Sequence, residues 1–265
     1  MIIDTHCHAG KNWFEPIDMI IAQMKLNNVD KAVLIQHFGS GNKYLFDCLK
    51  NYPNKLSAVP IIKWGDKKLH QAEEVKKNGA SGIRIYLDYE ELFLSSGIEF
   101  CKFLGDLKLV ASVAGTLDQF SSLGFKKLVE EAGDTNFIIE HLAGVGTYAT
   151  SKDSNVKSGG LLKYDSVLDL ARYKNLFIKV PGLGELNIRP SSLSNGSPFV
   201  SDTNNLIKMT IDSFGSDHMM WGSDFPPVSN REGYRNSLQG IKNLEILTNK
   251  DKENIFNLVP IKLFF

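Results

Sequence analysis

Short runs of apolar and β-branched residues return eight times along this chain, each followed by a longer stretch with helical spacing, and this alternation limits the fold more than anything else. The runs fall at 2–8, 31–36, 56–62, 82–87, 109–115, 136–141, 176–180 and 219–222, and read as strands. Helical patterns fill 16–27, 43–51, 67–78, 97–104, 120–132, 166–173, 204–214 and the region from 234 onward. Strands that alternate with helices pair in parallel through helical crossovers, so the chain is expected to be α/β. Eight units in 265 residues match a (β/α)8 TIM barrel, with an open doubly wound sheet as the other arrangement. Nothing resembling a linker or repeat divides the sequence, so 1–265 is expected to form a single domain. Glycines at 79, 133 and 215 follow apolar-periodic segments, where a left-handed helix end is wanted. The stretches 143–163 and 181–202, rich in Gly, Ser, Asn and Thr, read as long loops after strands, which in a barrel cover the active-site end.

Charge and cysteine content narrow the partners. Thirty Lys and Arg balance thirty Asp and Glu, so no basic surplus favours nucleic acid or anionic lipid. No apolar run approaches the roughly 20 residues that span a bilayer, and the N-terminal sequence MIIDTHCHAG lacks the form of a secretory signal. Cys7, Cys48 and Cys101 show no CxxC spacing, which argues against a disulfide framework and points to a reducing cytoplasm. The expected partner is a small molecule; the sequence leaves homo-oligomerisation open.

The residues able to do chemistry sit where apolar runs end. In Ile2 to His8 the period of a strand puts Asp4, His6 and His8 on one face and Ile3, Thr5 and Cys7 on the other. Two imidazoles brought together in this way suit a divalent metal, the alternative being a pair of surface histidines. The run at 219–222 ends in Asp224, held in the stiff sequence WGSDFPP, and the run at 136–141 ends in Glu140 and His141. Each of these alone is as well explained by a turn or a hydrogen-bonded structural role. On a barrel, however, His6, His8, His141 and Asp224 all open onto the C-terminal ends of the strands, and jointly they describe a site. His37, after the second strand, falls on the same rim. No GxSxG elbow accompanies Ser223, and GVG at 144–146 lacks the remainder of a dinucleotide fingerprint.

Over nearly its whole length the sequence resembles the amidohydrolase-related family, the branch of the amidohydrolase superfamily with sugar lactonases, pyrone dicarboxylate lactonases and aminocarboxymuconate semialdehyde decarboxylase. The resemblance is carried by DTHCH at 4–8, GIRIY at 82–86, IIEHLAG at 138–144, IKVPG at 178–182, WGSDFP at 221–226 and Asn257. It implies His6, His8 and Asp224 as metal ligands, or as substrate ligands in metal-free members. Asp224 is implied as the general base, and His141 as the group that polarises the carbonyl or assists proton transfer. Arg84 is implied as the grip on a substrate carboxylate, with Lys179 and His37 further candidates for binding an anionic substrate. Metal-dependent relatives commonly add a histidine from strand 5, but here that stretch, LVASVAGT, has none. One divalent ion, zinc or manganese, or metal-free catalysis is therefore expected rather than a binuclear centre.

The expected activity is hydrolysis of a small lactone or related carbonyl compound of a sugar acid or dicarboxylate, with Asp224 activating water. The alternatives are a metal-dependent decarboxylase or hydratase of an unsaturated acid, and a catalytically silent ligand-binding barrel.

Overall fold

The computed structural model describes residues 1–189 and 202–265. All eight expected strands form: β1 (Ile3–Cys7), β2 (Lys31–Ile35), β3 (Leu56–Val59), β4 (Gly82–Tyr86), β5 (Val110–Ala114), β6 (Phe137–Ile139), β7 (Leu176–Val180) and β8 (Met219–Trp221). They pair in parallel as two arcs, β1-β2-β3 and β4-β5-β6-β7-β8. Backbone bonds across both seams close the arcs into a barrel. The amide of Arg84 donates to Pro60 O at 2.8 Å on one side, and those of His8 and Asp224 donate to Phe225 O and His6 O, each at 2.8 Å, on the other. The second seam thus ties the end of β1 directly to the turn after β8.

Strand periodicity then sorts the side chains into two layers. Ile83, Ile85, Ala111, Val113, Phe137, Ile139, Ile178 and Val180 point outward and pack with the surrounding helices. Val33, Ile35, Val59, Val110, Ile138, Phe177 and Met220 point inward, where Val259, Leu263 and Phe264 of the helix Val259–Phe264 join them in one buried cluster. On β5, β6 and β7 and at the end of β8 the inward positions change character two residues further along. Ser112 follows Val110, Glu140 follows Ile138, Lys179 follows Phe177 and Gly222 follows Met220. The lumen is therefore apolar at the N-terminal ends of the strands and polar at their C-terminal ends, which is where a barrel places its chemistry.

Two expectations are corrected. β1 does not keep strict alternation: Asp4 pairs with Ala32 and Cys7 with Leu34, three residues against two, so a bulge interrupts the register. Asp4 consequently lies on the side of Ala32 and Cys7, away from His6 and His8. There its carboxylate accepts from the Ser223 amide at 2.9 Å, the Ser223 hydroxyl at 2.6 Å and the His6 amide at 3.1 Å. The supposed loop 143–163 also contains most of a helix, Ser154–Leu168, capped by Asp153, whose carboxylate accepts from the amides of Asn155 and Val156. Its glycines read as loop, yet Gly160 serves close packing, since a Cβ there would overlap the Tyr148 side chain. Of the second stretch, 181–202, only 181–189 and the start of the helix Asp202–Phe214 belong to the described residues. Of the three glycines expected to close helix ends, Gly79 and Gly215 have positive φ, 82° and 70°, but Gly215 has an extended ψ of 152° and Gly133 has no positive φ. Cys7, Cys48 and Cys101 are free and buried, and no described helix is long and apolar enough to cross a membrane.

Candidate active site

The polar layer of the lumen is built around Glu140. Its carboxylate accepts from Arg84 Nη2 at 2.7 Å, from Arg84 Nε at 3.2 Å and from the Ser112 hydroxyl at 2.8 Å. Burial alone would raise its pKa; the nearby charges of Arg84 and Lys179 outweigh burial and hold it at about 2. Lys179 stands beside it, with Nζ 3.3 Å from Ser112 Oγ and 3.4 Å from His6 Nδ1, and burial, assisted by the like charge of Arg84 and opposed by Glu140, brings its pKa down to about 8.

Above this layer the expected imidazoles and carboxylate converge. The rings of His6 and His8 meet edge-on at 4.9 Å, and those of His6 and His141 at 4.6 Å. His8 Nδ1 lies 2.8 Å from Ile35 O and Nε2 lies 3.3 Å from Asp224 Oδ1; a carbonyl and an ionised carboxylate only accept, so the two contacts are both hydrogen bonds when each ring nitrogen carries a proton. His141 Nδ1 contacts Glu185 Oε2 at 3.0 Å, leaving its Nε2 3.4 Å from His6 Nε2. When His141 is neutral and Lys179 is an ammonium donating to His6 Nδ1, His6 Nε2–H donates to His141 and His141 Nδ1–H to Glu185; when His141 is an imidazolium, its Nε2–H donates to His6 Nε2 instead, and His6 carries its proton on Nδ1 against a neutral Lys179.

The electrostatics suit acid–base work. Burial would raise the Asp224 pKa, but the hydrogen bond from His8 and the charges of His141, His8 and Arg231 outweigh it, so the carboxyl is held below its usual value. Burial would lower the pKa of His141; Glu185 overrides it and lifts the imidazole to about 9. His6 moves well below the ordinary histidine value through burial first and the charge of Lys179 next. An ionised carboxylate and an imidazolium thus share one small space.

Two of these residues depend on uncommon backbone. His141, Leu142, Ala143 and Gly144 have φ of 52°, 48°, 59° and 73°, a full left-handed turn, and Asp224 has φ of 58°. Such conformations concentrate at functional sites, where the surrounding structure over-determines them.

The other expected residues take different places. His37 is half-buried at the mouth, its ring 5.2 Å from Phe14, which itself stacks on His8 at 4.7 Å and 13°. Arg84 spends Nε and one edge of Nη2 on Glu140 and donates from Nη1 to Gln36 O at 3.0 Å. Lys179 is only 2% exposed, beneath His6. His6, His141 and Asp224 have ligand atoms within 4.8 Å of one another, and His8 stands beside this group, edge-on to the His6 ring and facing the Asp224 carboxylate. Sequence reasoning passed over Glu185 and Arg231. Arg231 Nη2 reaches Asp224 Oδ2 at 3.1 Å and Nη1 reaches Glu185 Oε2 at 3.3 Å, and both residues sit in irregular segments with no period to reveal them.

The family model for amidohydrolases matches residues 22–265. The chain belongs to the amidohydrolase family. Its members are enzymes, and so is this protein. Among solved structures, a probable 2-pyrone-4,6-dicarboxylic acid hydrolase from Acinetobacter baumannii with bound citric acid aligns with TM-score 0.79 and 18% identity over 99% of this chain and 98% of that one. An amidohydrolase from Burkholderia multivorans with bound zinc aligns with TM-score 0.79 and 14% identity over 99% and 98%. The 5-carboxyvanillate decarboxylase from Sphingomonas paucimobilis aligns with TM-score 0.65 and 13% identity over 99% and 98%. At these identities the likeness is one of fold. The sequence finds no match among the curated proteins.

Proposed function

We propose that this amidohydrolase opens a small anionic lactone or related ester, of a sugar acid or dicarboxylate, by attack of water activated by Asp224. The observation that carries the reading is the gathering of His6, His141 and Asp224 within 4.8 Å at the polar end of the lumen. Asp224 is ionised and takes the proton of the attacking water; the imidazolium of His141 donates to the oxygen that becomes the oxyanion and can afterwards protonate the leaving alkoxide. The probable 2-pyrone-4,6-dicarboxylic acid hydrolase and the 5-carboxyvanillate decarboxylase among the structural relatives are both named for carboxylic acids, which supports the substrate class. A cavity of about 640 Å³, bordered by Arg84, Trp64, Tyr86 and Tyr89, has room for such a ring; His6, His141 and Asp224 do not line it, and Arg84, which pairs with Glu140, is its link to the polar layer. Arg84 keeps one N–H on each terminal nitrogen unused by the protein, from a fork of five, and these suit a carboxylate. Decarboxylation is disfavoured by the next inward position after Val110, where β5 presents Ser112 rather than another imidazole.

The donor set also fits a divalent ion such as zinc or manganese, since two imidazoles and a carboxylate leave open positions for water and substrate. His6, His141 and Asp224 would hold it, with His141 giving up the Nε2 proton and His6 carrying its proton on Nδ1 against a neutral Lys179. Such an ion would supply Lewis-acid polarisation of the carbonyl. The test is turnover of a panel of sugar-acid and dicarboxylate lactones before and after chelation, beside Asp224→Asn. Hydrolysis that survives chelation assigns the oxyanion to the imidazolium. Loss on chelation, with recovery on zinc or manganese, assigns it to an ion. A panel that yields no turnover sinks the lactonase reading.

A further inference from the structure

The charges around Asp224 and His141 are joined by a single side chain. Glu185 Oε2 contacts His141 Nδ1 at 3.0 Å and Arg231 Nη1 at 3.3 Å, and the other terminal nitrogen of Arg231 contacts Asp224 Oδ2 at 3.1 Å. One guanidinium therefore bridges the carboxylate that orients His141 and the carboxylate assigned as base. We propose that Arg231 and Glu185 are positioning residues, which lock the His141 imidazole and the Asp224 carboxylate into one unit with a fixed separation. The proposal rests on the assignment of Asp224 and His141 to the reacting centre.

Several features argue for a device rather than a loop contact. Asp224 is held at both oxygens, Oδ1 by His8 at 3.3 Å and Oδ2 by Arg231, so its plane cannot turn about the side chain. The two strand-end segments are also seated on each other. Glu232, the neighbour of Arg231, occupies space that exists only because residues 182 and 184 are glycine; a Cβ at either would overlap its carboxylate. Glu185 follows directly on that Gly-Leu-Gly stretch, and the Arg231 Nε lies 3.7 Å from Glu232 Oε2. A planar, permanently charged fork can span two carboxylates at fixed distance, which a lysine ammonium, as a point charge, cannot. Without the bridge Asp224 and Glu185 would face each other across a half-buried space as like charges.

The test compares Arg231→Ala, Arg231→Lys and Glu185→Gln with the intact enzyme on a lactone that it turns over. Misplacing the pair should lower kcat by about 10- to 100-fold, with KM changed by less than about threefold. Guanidinium chloride at low millimolar concentration should restore part of the kcat of Arg231→Ala and leave the wild type unchanged, while Arg231→Lys should stay as slow as the alanine variant. A kcat within about twofold of wild type for Arg231→Ala overturns the proposal. So does a loss that follows thermal destabilisation and does not respond to guanidinium, because that is the signature of a merely structural ion pair. A second arm needs no substrate. The chain has six histidines, so ring 15N spectra can be assigned with single His→Asn variants. His141 resonances should shift in Glu185→Ala and Arg231→Ala, while those of His8, bonded to Ile35 O, stay. If no lactone is turned over, the proposed activity fails and this arm still decides: unchanged His141 resonances in both variants overturn the positioning role.

Discussion

Two arginines face the lumen with opposite commitments. Arg84, on β4, is 10% exposed in its side chain and pairs with Glu140, itself 2% exposed; their contact is a closed fork with a third bond to Gln36 O. Arg231, in the segment after β8, is 25% exposed and stands among Asp224, Glu185 and Glu232, with no contact tighter than 3.1 Å. The arginine that the GIRIY stretch offers as a substrate grip is thus first a strut under the site. The one without a motif touches the carboxylate proposed as the base. A side chain on a regular strand inherits a neighbour at fixed register and is readily buried in a pair, whereas one on an irregular segment can be aimed at the residue that reacts.

The largest effect should come from the group that Arg231 holds. Asp224→Asn keeps shape and removes the proton acceptor, so kcat should fall by about two to four decades while substrate affinity survives, as steady-state kinetics will read. Near-normal kcat would reduce both Asp224 and its arginine to architecture.

The strut should speak through stability instead. Arg84→Met leaves Glu140 buried without its partner and should lower the unfolding free energy by roughly 3–5 kcal/mol, measured by denaturant melts. The pH dependence follows from the sign of the Glu140 shift. Its pKa is about 2 in the fold against 4.5 ordinarily, so its contribution is complete above 4.5 and is lost as pH falls toward 2. The difference between wild type and Arg84→Met should therefore narrow over that window. An unchanging difference would mean that packing of the guanidinium, not its charge, supports the barrel.

Arg84→Lys sharpens the contrast. The lysine cannot hold the Glu140 fork and also offer paired N–H groups, so KM for an acidic lactone should rise by about tenfold and for a neutral analogue much less. Equal losses would confine Arg84 to its strut.

The smallest effect concerns backbone far from the site. Lys108 is exposed and left-handed at φ 55°, where its amide and that of Leu109 bond back to Gly105 O and Leu104 O, closing a helix end that favours glycine. Lys108→Gly should stabilise the protein by about 0.5–1 kcal/mol with no change in kcat.

The barrel was legible because its signal is repeated. Eight apolar runs separated by helical spacing describe parallel strands whatever their exact ends, and the four residues at their C-terminal ends could be collected without knowing any loop. What lay hidden was non-periodic. The bulge in β1 that turns Asp4 away from His6 comes from pairing to β2 and leaves no trace in the alternation of MIIDTHCH. Glu140 looked equivalent to His141 as a strand-end residue; only the lumen neighbours Arg84, Ser112 and Lys179, all distant in sequence, make it the anchor of the buried layer. Glu185 and Arg231 carry no spacing signal, because the segments after β7 and β8 are specified by the glycines and carboxylates they meet in space.

The left-handed turn at 141–144 has a consequence for how this chain can change. Apart from Gly144, its residues have side chains that disfavour the conformation, by roughly 1–2 kcal/mol each, so the fold holds them there against local preference. Selection for heat tolerance alone would find easy gains at ends such as Lys108 and would also press on this turn, where relief would swing His141 out of register with Asp224. Lineages or laboratory libraries kept under such pressure should then divide into sturdier barrels that have fallen silent and less sturdy ones that still turn over substrate, with the boundary drawn through these four residues.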